Sequence, residues 1–136
     1  MAKLSTFSRN AKAMKEGDWV NPGAEYGGIE IKTKAMNSEY ADARANALRL
    51  AAREFFGNEA KIGSEKRNKI DIQALIDNCL LDIRGLEHAD GRPVSIDEFN
   101  QMILEPQYGE LAIIAFQCAG QVGRVNANMV EEAEGN

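Results

Sequence analysis

The chain has 136 residues, 44% of them hydrophobic and 27% charged, with a formal net charge of −5 and an estimated pI of 5.0. That length suits one core burying roughly two-thirds of the unfolded surface, and the composition is globular rather than disordered, collagenous or coiled-coil. The acidic balance disfavours general attraction to nucleic acid, which needs Lys and Arg gathered on one face. The longest apolar run, Leu111 to Phe116, falls far short of the roughly 20 residues that cross a bilayer. With no apolar signal core behind Met1, a soluble cytoplasmic protein with no membrane partner is expected.

Residues 1–17 carry Lys3, Arg9, Lys12 and Lys15, with Leu4, Phe7 and Met14 as apolar anchors. They read as a mobile arm or a short amphipathic helix. Asp18–Gly23 and Gly27–Lys34 then read as two strands joined through a Pro/Gly loop. The second alternates, with Ile29 and Ile31 on one face and Glu30, Lys32 and Lys34 on the other, so a β-hairpin is predicted.

Asn37 or Ser38 can cap a helix carrying Tyr40, Ala43, Ala47, Leu48, Leu50, Ala51 and Phe55 and ending before Gly57. Residues 58–68 are polar and charged and read as a loop. Ile72, Leu75, Ile76, Cys79, Leu80 and Ile83 recur at threes and fours, which predicts a helix that Gly85 stops. Arg84 to Val94 has the turn chemistry of an ordered loop, with Asp90-Gly91 at its tip. Ser95-Ile96-Asp97-Glu98 matches a capping box, opening a short helix to about Leu104 with Phe99, Met102 and Ile103 inward and Pro106 at its end. A final helix is expected from about Tyr108 to Asn126.

The expected fold class is therefore α+β, mainly helical, an N-terminal β-hairpin followed by about four helices in a small bundle. Residues 1–17 form the arm, 18–126 one domain and 127–136 a frayed acidic tail.

Candidate chemistry is sparse. His88 is the one histidine, so neither a histidine-pair metal site nor HExxH exists within this chain. Cys79 and Cys118 lack CxxC spacing and sit in apolar helical surroundings, which reads as two packing thiols and disfavours a Cys–His nucleophile. Asp90-Gly91 has Ala89 and Arg92 where calcium ligands would be needed, and Glu131-Glu132 and Asp97-Glu98 are explained by a terminus and a helix start. No enzyme activity, catalytic residue, metal or cofactor is expected. The candidate protein-binding residues are Leu4 and Phe7 on the arm and Trp19, Tyr26, Ile29 and Ile31 on the hairpin, whose free edge is a further place for another chain to pair.

The order of segments carries a resemblance. A tryptophan-bearing strand pair, a capped Ala/Arg helix and an Ile/Leu helix precede Leu81-Asp82-Ile83-Arg84-Gly85-Leu86-Glu87-His88-Ala89-Asp90-Gly91-Arg92-Pro93-Val94-Ser95. This runs into a short helix followed by Pro106 and Tyr108. Over roughly Asp18 to Val125 the chain resembles the tail assembly chaperones of long-tailed bacteriophages. In that family a helix commonly ends in a tryptophan step; here Ile83 and Arg84 stand where the aromatic would often be.

The resemblance implies a protein that coats the helix-rich tape measure protein, keeps it soluble, recruits tail tube subunits and leaves the finished tail. Many copies acting by avidity imply self-association in the host cytoplasm. It also implies a longer product made by programmed frameshifting: Glu134-Gly135-Asn136 can be written GAG GGA AAC, which contains the heptamer G GGA AAC. Two other classes compete with it. One is a head or tail completion protein that stays in the particle. The other is a regulator with a helix-turn-helix around Ser95 to Gln121, which the acidic charge and the lack of an Arg/Lys run disfavour.

Overall fold

A computed structural model describes residues 1–124. The expected acidic tail, 127–136, and the end of the expected final helix lie outside the described residues. Alternation in the strand Glu30–Thr33 (β2) turns Ile31 and Thr33 inward, both fully buried, and leaves Glu30 and Lys32 half-buried on the opposite face. The Thr33 hydroxyl satisfies itself locally by donating to the Lys34 carbonyl at 2.8 Å. The short strand Asp18–Val20 (β1) pairs antiparallel with β2, Trp19 opposite Lys32 and Val20 opposite Ile31, so the hairpin forms as read.

The hairpin is not alone. Leu80–Arg84 (β3) pairs antiparallel with the other side of β2, giving a three-stranded sheet in the order β1-β2-β3. Ile83 was expected on a helix and lies on this strand. Thr33 faces Leu80 while Lys32 faces Asp82, so Leu81 is an extra residue in the ladder, a bulge. The bulge buries Leu80 and Ile83 at a spacing of three, the interval an amphipathic helix would give.

Asn37 caps the helix Ser38–Ala51 (α2), its side-chain oxygen accepting from the Tyr40 N–H at 3.0 Å. A 3₁₀ turn, Ala52–Phe55, extends α2 to Phe56 and Gly57. The next helix, Ser64–Asn78 (α3), begins inside the stretch read as loop, because its first two turns are exposed and show no apolar period. Asn78 ends it by donating its side-chain amide to the Ala74 carbonyl at 2.9 Å. Arg44 on α2 pairs with Asp71 on α3, and Leu48, Ala52, Ile62 and Ile70 form a small second core there.

The capping box forms as expected at the helix Ile96–Met102 (α4). The preceding loop closes as a small hairpin, with His88 N–H on Arg92 O and Val94 N–H on Leu86 O, each at 2.8 Å. His88 Nε2 meets Glu98 Oε2 at 2.7 Å and clamps this loop to α4. The Ser95 N–H and hydroxyl, and then His88, hold the Glu98 carboxyl below the usual carboxylate range. Pro106 opens a 3₁₀ turn, Pro106–Tyr108, that leads into the last helix, Gly109–Gln121 (α5). Pro fits there because the first turn has no partner for an N–H.

α5 lies against β2 and α4 against β3, so the inner face of the sheet packs on helices. Ile31, Leu75, Phe99, Ala115 and Cys118 meet in the main core, each fully buried. The fold is mixed α+β and mainly helical, as the sequence predicted, with a third strand added.

The turn after β3 depends on Gly85, whose φ of +82° is left-handed and where a Cβ would run into the Gly28 carbonyl oxygen. Gly91 has φ +89° with open space around it. Gly91→Ala is expected to cost only the strain, about 1 kcal/mol, whereas Gly85→Ala adds a backbone collision and is expected to cost about 3 kcal/mol. Urea denaturation of the two variants checks this; equal losses would contradict the tight Gly85–Gly28 contact.

Candidate protein-binding surface

The N-terminal segment is anchored at its second half. The Arg9 guanidinium donates twice to the Val122 carbonyl, at 3.1 and 2.6 Å, and Asn10 N–H donates to Gly123 O at 2.7 Å. Asn10 also caps the short helix Ala11–Glu16 (α1) through the Ala13 N–H, and Ala35 N–H reaches back to Met14 O at 2.9 Å. α1 is thus fixed between the end of α5 and the end of β2. Of the two readings of residues 1–17, a mobile arm or a short helix, a short helix is present at Ala11–Glu16, and residues 9–17 are held to the body. Ahead of them Leu4 and Phe7, in a 3₁₀ turn Leu4–Phe7, are 87% and 71% exposed.

Of the hairpin residues, Trp19 lies on the outer face of the sheet. The Arg84 guanidinium stacks over its ring at 4.0 Å from the centroid and also pairs with Glu30 at 3.1 Å. Trp19, Glu30, Lys32, Asp82 and Arg84 therefore make one mixed aromatic and charged face, with Arg84 holding it together across β2. Tyr26, half-buried in a 3₁₀ turn, packs against the main core and borders a cleft of about 270 Å³ with Tyr108 and Leu111. Ile29 and Ile31 are core residues at 7% and 0% exposure, so the expectation that they present to a partner is corrected: the hydrophobic face of the hairpin is spent on α5.

Two amides at the sheet edges are met by carboxylates rather than left free. In an antiparallel ladder hydrogen-bonded and non-bonded positions alternate. Lys34 N–H serves Cys79 O, on the side of β3, and Ala35 N–H serves Met14 O on the other side, so successive β2 residues turn to opposite neighbours. By that parity Trp19 and Ile83 each turn an N–H outward at an edge strand. Each is met by the carboxylate of the residue before it, Asp18 Oδ1 and Asp82 Oδ1, both at 2.8 Å. A charge that caps its own strand edge removes the donor an incoming strand would need.

Several large apolar side chains outside the candidate surface are exposed, among them Leu50 at 56%, Phe56 at 102% and Ile113 at 60%. Leu50 is one of the apolar positions read on α2, and it lies on the outside of that helix.

Burial pushes the Cys79 thiol up to about 11 and the Cys118 thiol up to about 12. Among the described residues no group of three or more His, Cys, Asp or Glu could hold a metal ion, and no helix is long and apolar enough to cross a membrane. The chain matches no protein-family model, no curated protein and no solved structure.

Both thiols are expected to resist a thiol reagent in the native protein at pH 8 and to react on unfolding. Their folded values lie above the ordinary thiol value near 8.5, so the unfolded chain ionises first and stability falls as pH rises from about 9 towards 11. Rapid labelling of the native protein, or a flat stability profile over that range, would contradict the assignment.

Proposed function

We propose that the protein works by binding another protein, and that it is an assembly chaperone of a long-tailed phage which coats the tape measure protein, helps recruit tail tube subunits and leaves the finished particle. The observation that supports the binding reading is the pair Leu4 and Phe7, largely exposed just ahead of a segment held to Val122 and Gly123. Exposing two large apolar side chains at a fixed point on a body is costly in water and useful when a client's apolar helix arrives. The Trp19–Arg84 face offers a second contact of the aromatic and guanidinium kind enriched at protein interfaces. The tail assembly assignment itself rests on the segment order. Self-association along the client supplies the avidity that such small contacts lack singly.

Co-expression with the longest coiled-coil-rich protein encoded beside it is the test. Soluble client in a complex with many copies of this chain is the expected result, and Leu4→Ser with Phe7→Ser is expected to reduce the recovered client at least tenfold while leaving the chain folded. A client that stays insoluble, or a double variant that rescues as well as the parent, would overturn the reading. Recovery of the chain from purified virions would instead mark a retained structural protein.

A further inference from the structure

The two ends of the described chain meet. The Arg9 guanidinium donates twice to the Val122 carbonyl, and Asn10 N–H donates to Gly123 O at 2.7 Å. Contact there is close enough that a Cβ on Gly123 would stand 2.9 Å from both Asn10 O and Met14 Cγ. Residues 125–136 lie outside the described residues, and the chain enters them at this point, against the base of the N-terminal segment. The six residues from Gly123 to Met129 can span about 20 Å, and Phe7, three residues ahead of Asn10, lies no more than about 11 Å from it. Met129 therefore reaches Phe7.

Charge and apolarity match along this path. Residues 1–18 carry Lys3, Arg9, Lys12 and Lys15 against Glu16 and Asp18, whereas residues 19–124 carry twelve basic side chains against sixteen acidic ones. The N-terminal segment is thus net positive on a body that is net negative. Lys3, Lys12 and Lys15 are exposed and make no ion pair among the described residues, and Lys12 and Lys15 share one face of α1. Residues 125–136 hold Glu131, Glu132 and Glu134 with no Lys or Arg, and Met129-Val130 stands directly before them. An apolar pair followed by carboxylates complements Leu4 and Phe7 set among lysines. The other basic stretch, residues 49–69, holds six basic side chains against three acidic ones, but among the described residues no hydrogen bond ties it to residues 122–124.

We propose that residues 125–136 fold back along residues 1–15, with Met129 and Val130 covering Leu4 and Phe7 while Glu131, Glu132 and Glu134 lie against Lys3, Lys12 and Lys15. The short tether holds the two segments at an effective concentration on the order of millimolar, so contacts too weak to join separate molecules suffice within one. Folded back, the C-terminal segment competes with a client for the apolar pair. That consequence rests on the reading of Leu4 and Phe7 as a client contact; the fold-back itself does not.

The full chain carrying Ala133→Cys takes a nitroxide there and not elsewhere, since Cys79 and Cys118 are 1% and 0% exposed. Amide NMR signals of residues 3–15 are expected to lose about half their intensity or more relative to the reduced label, and to regain it near 1 M salt, where the screening length falls to about 3 Å. The same recovery is expected in E131Q/E132Q/E134Q. An uncharged amphipathic helix of Leu and Gln serves as the competing probe. It is expected to bind the triple variant about threefold or more tighter than the parent, because the closed fraction lowers apparent affinity.

No broadening at low salt, broadening centred on residues 49–69, or equal affinity of the helix for parent and triple variant would each overturn the proposal. So would broadening in an isotope-labelled copy mixed with a nitroxide-bearing one, since a second copy would then be the occupant. Broadening of residues 3–15 beside a Leu4→Ser, Phe7→Ser chain that rescues client as well as the parent refutes the client reading alone. Absent broadening beside a successful, Leu4- and Phe7-dependent rescue refutes the fold-back alone.

Discussion

Everything else in this fold leans on β2 being paired on both sides. Its inward residues Ile31 and Thr33 are fully buried, and its backbone serves β1 on one side and β3 on the other. A two-stranded ribbon this short is marginal in water, and the third strand with helices packed on one face makes it persist. The third strand is also what connects the two halves of the chain, because β3 leaves α3 at Cys79 and leads through Gly85 to the loop clamped on α4. Shift β2 by one residue and Glu30 and Lys32 would turn into the core occupied by Phe99 and Cys118.

Pairing β2 twice has a consequence for recognition. The sheet spends its apolar face on the helices, and the outward amides of Trp19 and Ile83 are met by Asp18 and Asp82. The inner face is then not available, and these two edge donors are already hydrogen-bonded. Surfaces left for a partner include the Leu4 and Phe7 segment and the Trp19–Arg84 face. They differ in chemistry: an apolar pair against a mixed aromatic and charged face.

Local signals in the sequence were readable where a short stretch decides its own structure. Alternation identified β2, Asn37 identified the start of α2, and Ser95 with Glu98 identified the start of α4, since each needs only residues within one turn or one strand. The misreadings have physical causes of the opposite kind. The Leu81 bulge put Leu80 and Ile83 at a helical interval, and only pairing with β2, nearly fifty residues away in sequence, resolves that ambiguity. The start of α3 was hidden because exposed first turns carry no apolar period. The arm looked free because its anchors, the Val122 and Gly123 carbonyls, lie at the far end of the chain. Among the candidate site residues, Leu4 and Phe7 stand out where pattern placed them. Ile29 and Ile31 do not, because hydrophobicity alone does not say which face of a hairpin the core will take.

Amide hydrogen exchange followed residue by residue tests the central position of β2 most directly. Slowest exchange at the β2 amides and at Lys34, with Ile83 faster than its neighbours on β3 because its amide is held only by the adjacent Asp82 carboxylate, is the expected pattern. Protection of residues 79–84 that follows a helical ladder continuing from α3, with β2 exchanging as fast as β1, would contradict the three-stranded sheet on which the fold and its surfaces depend.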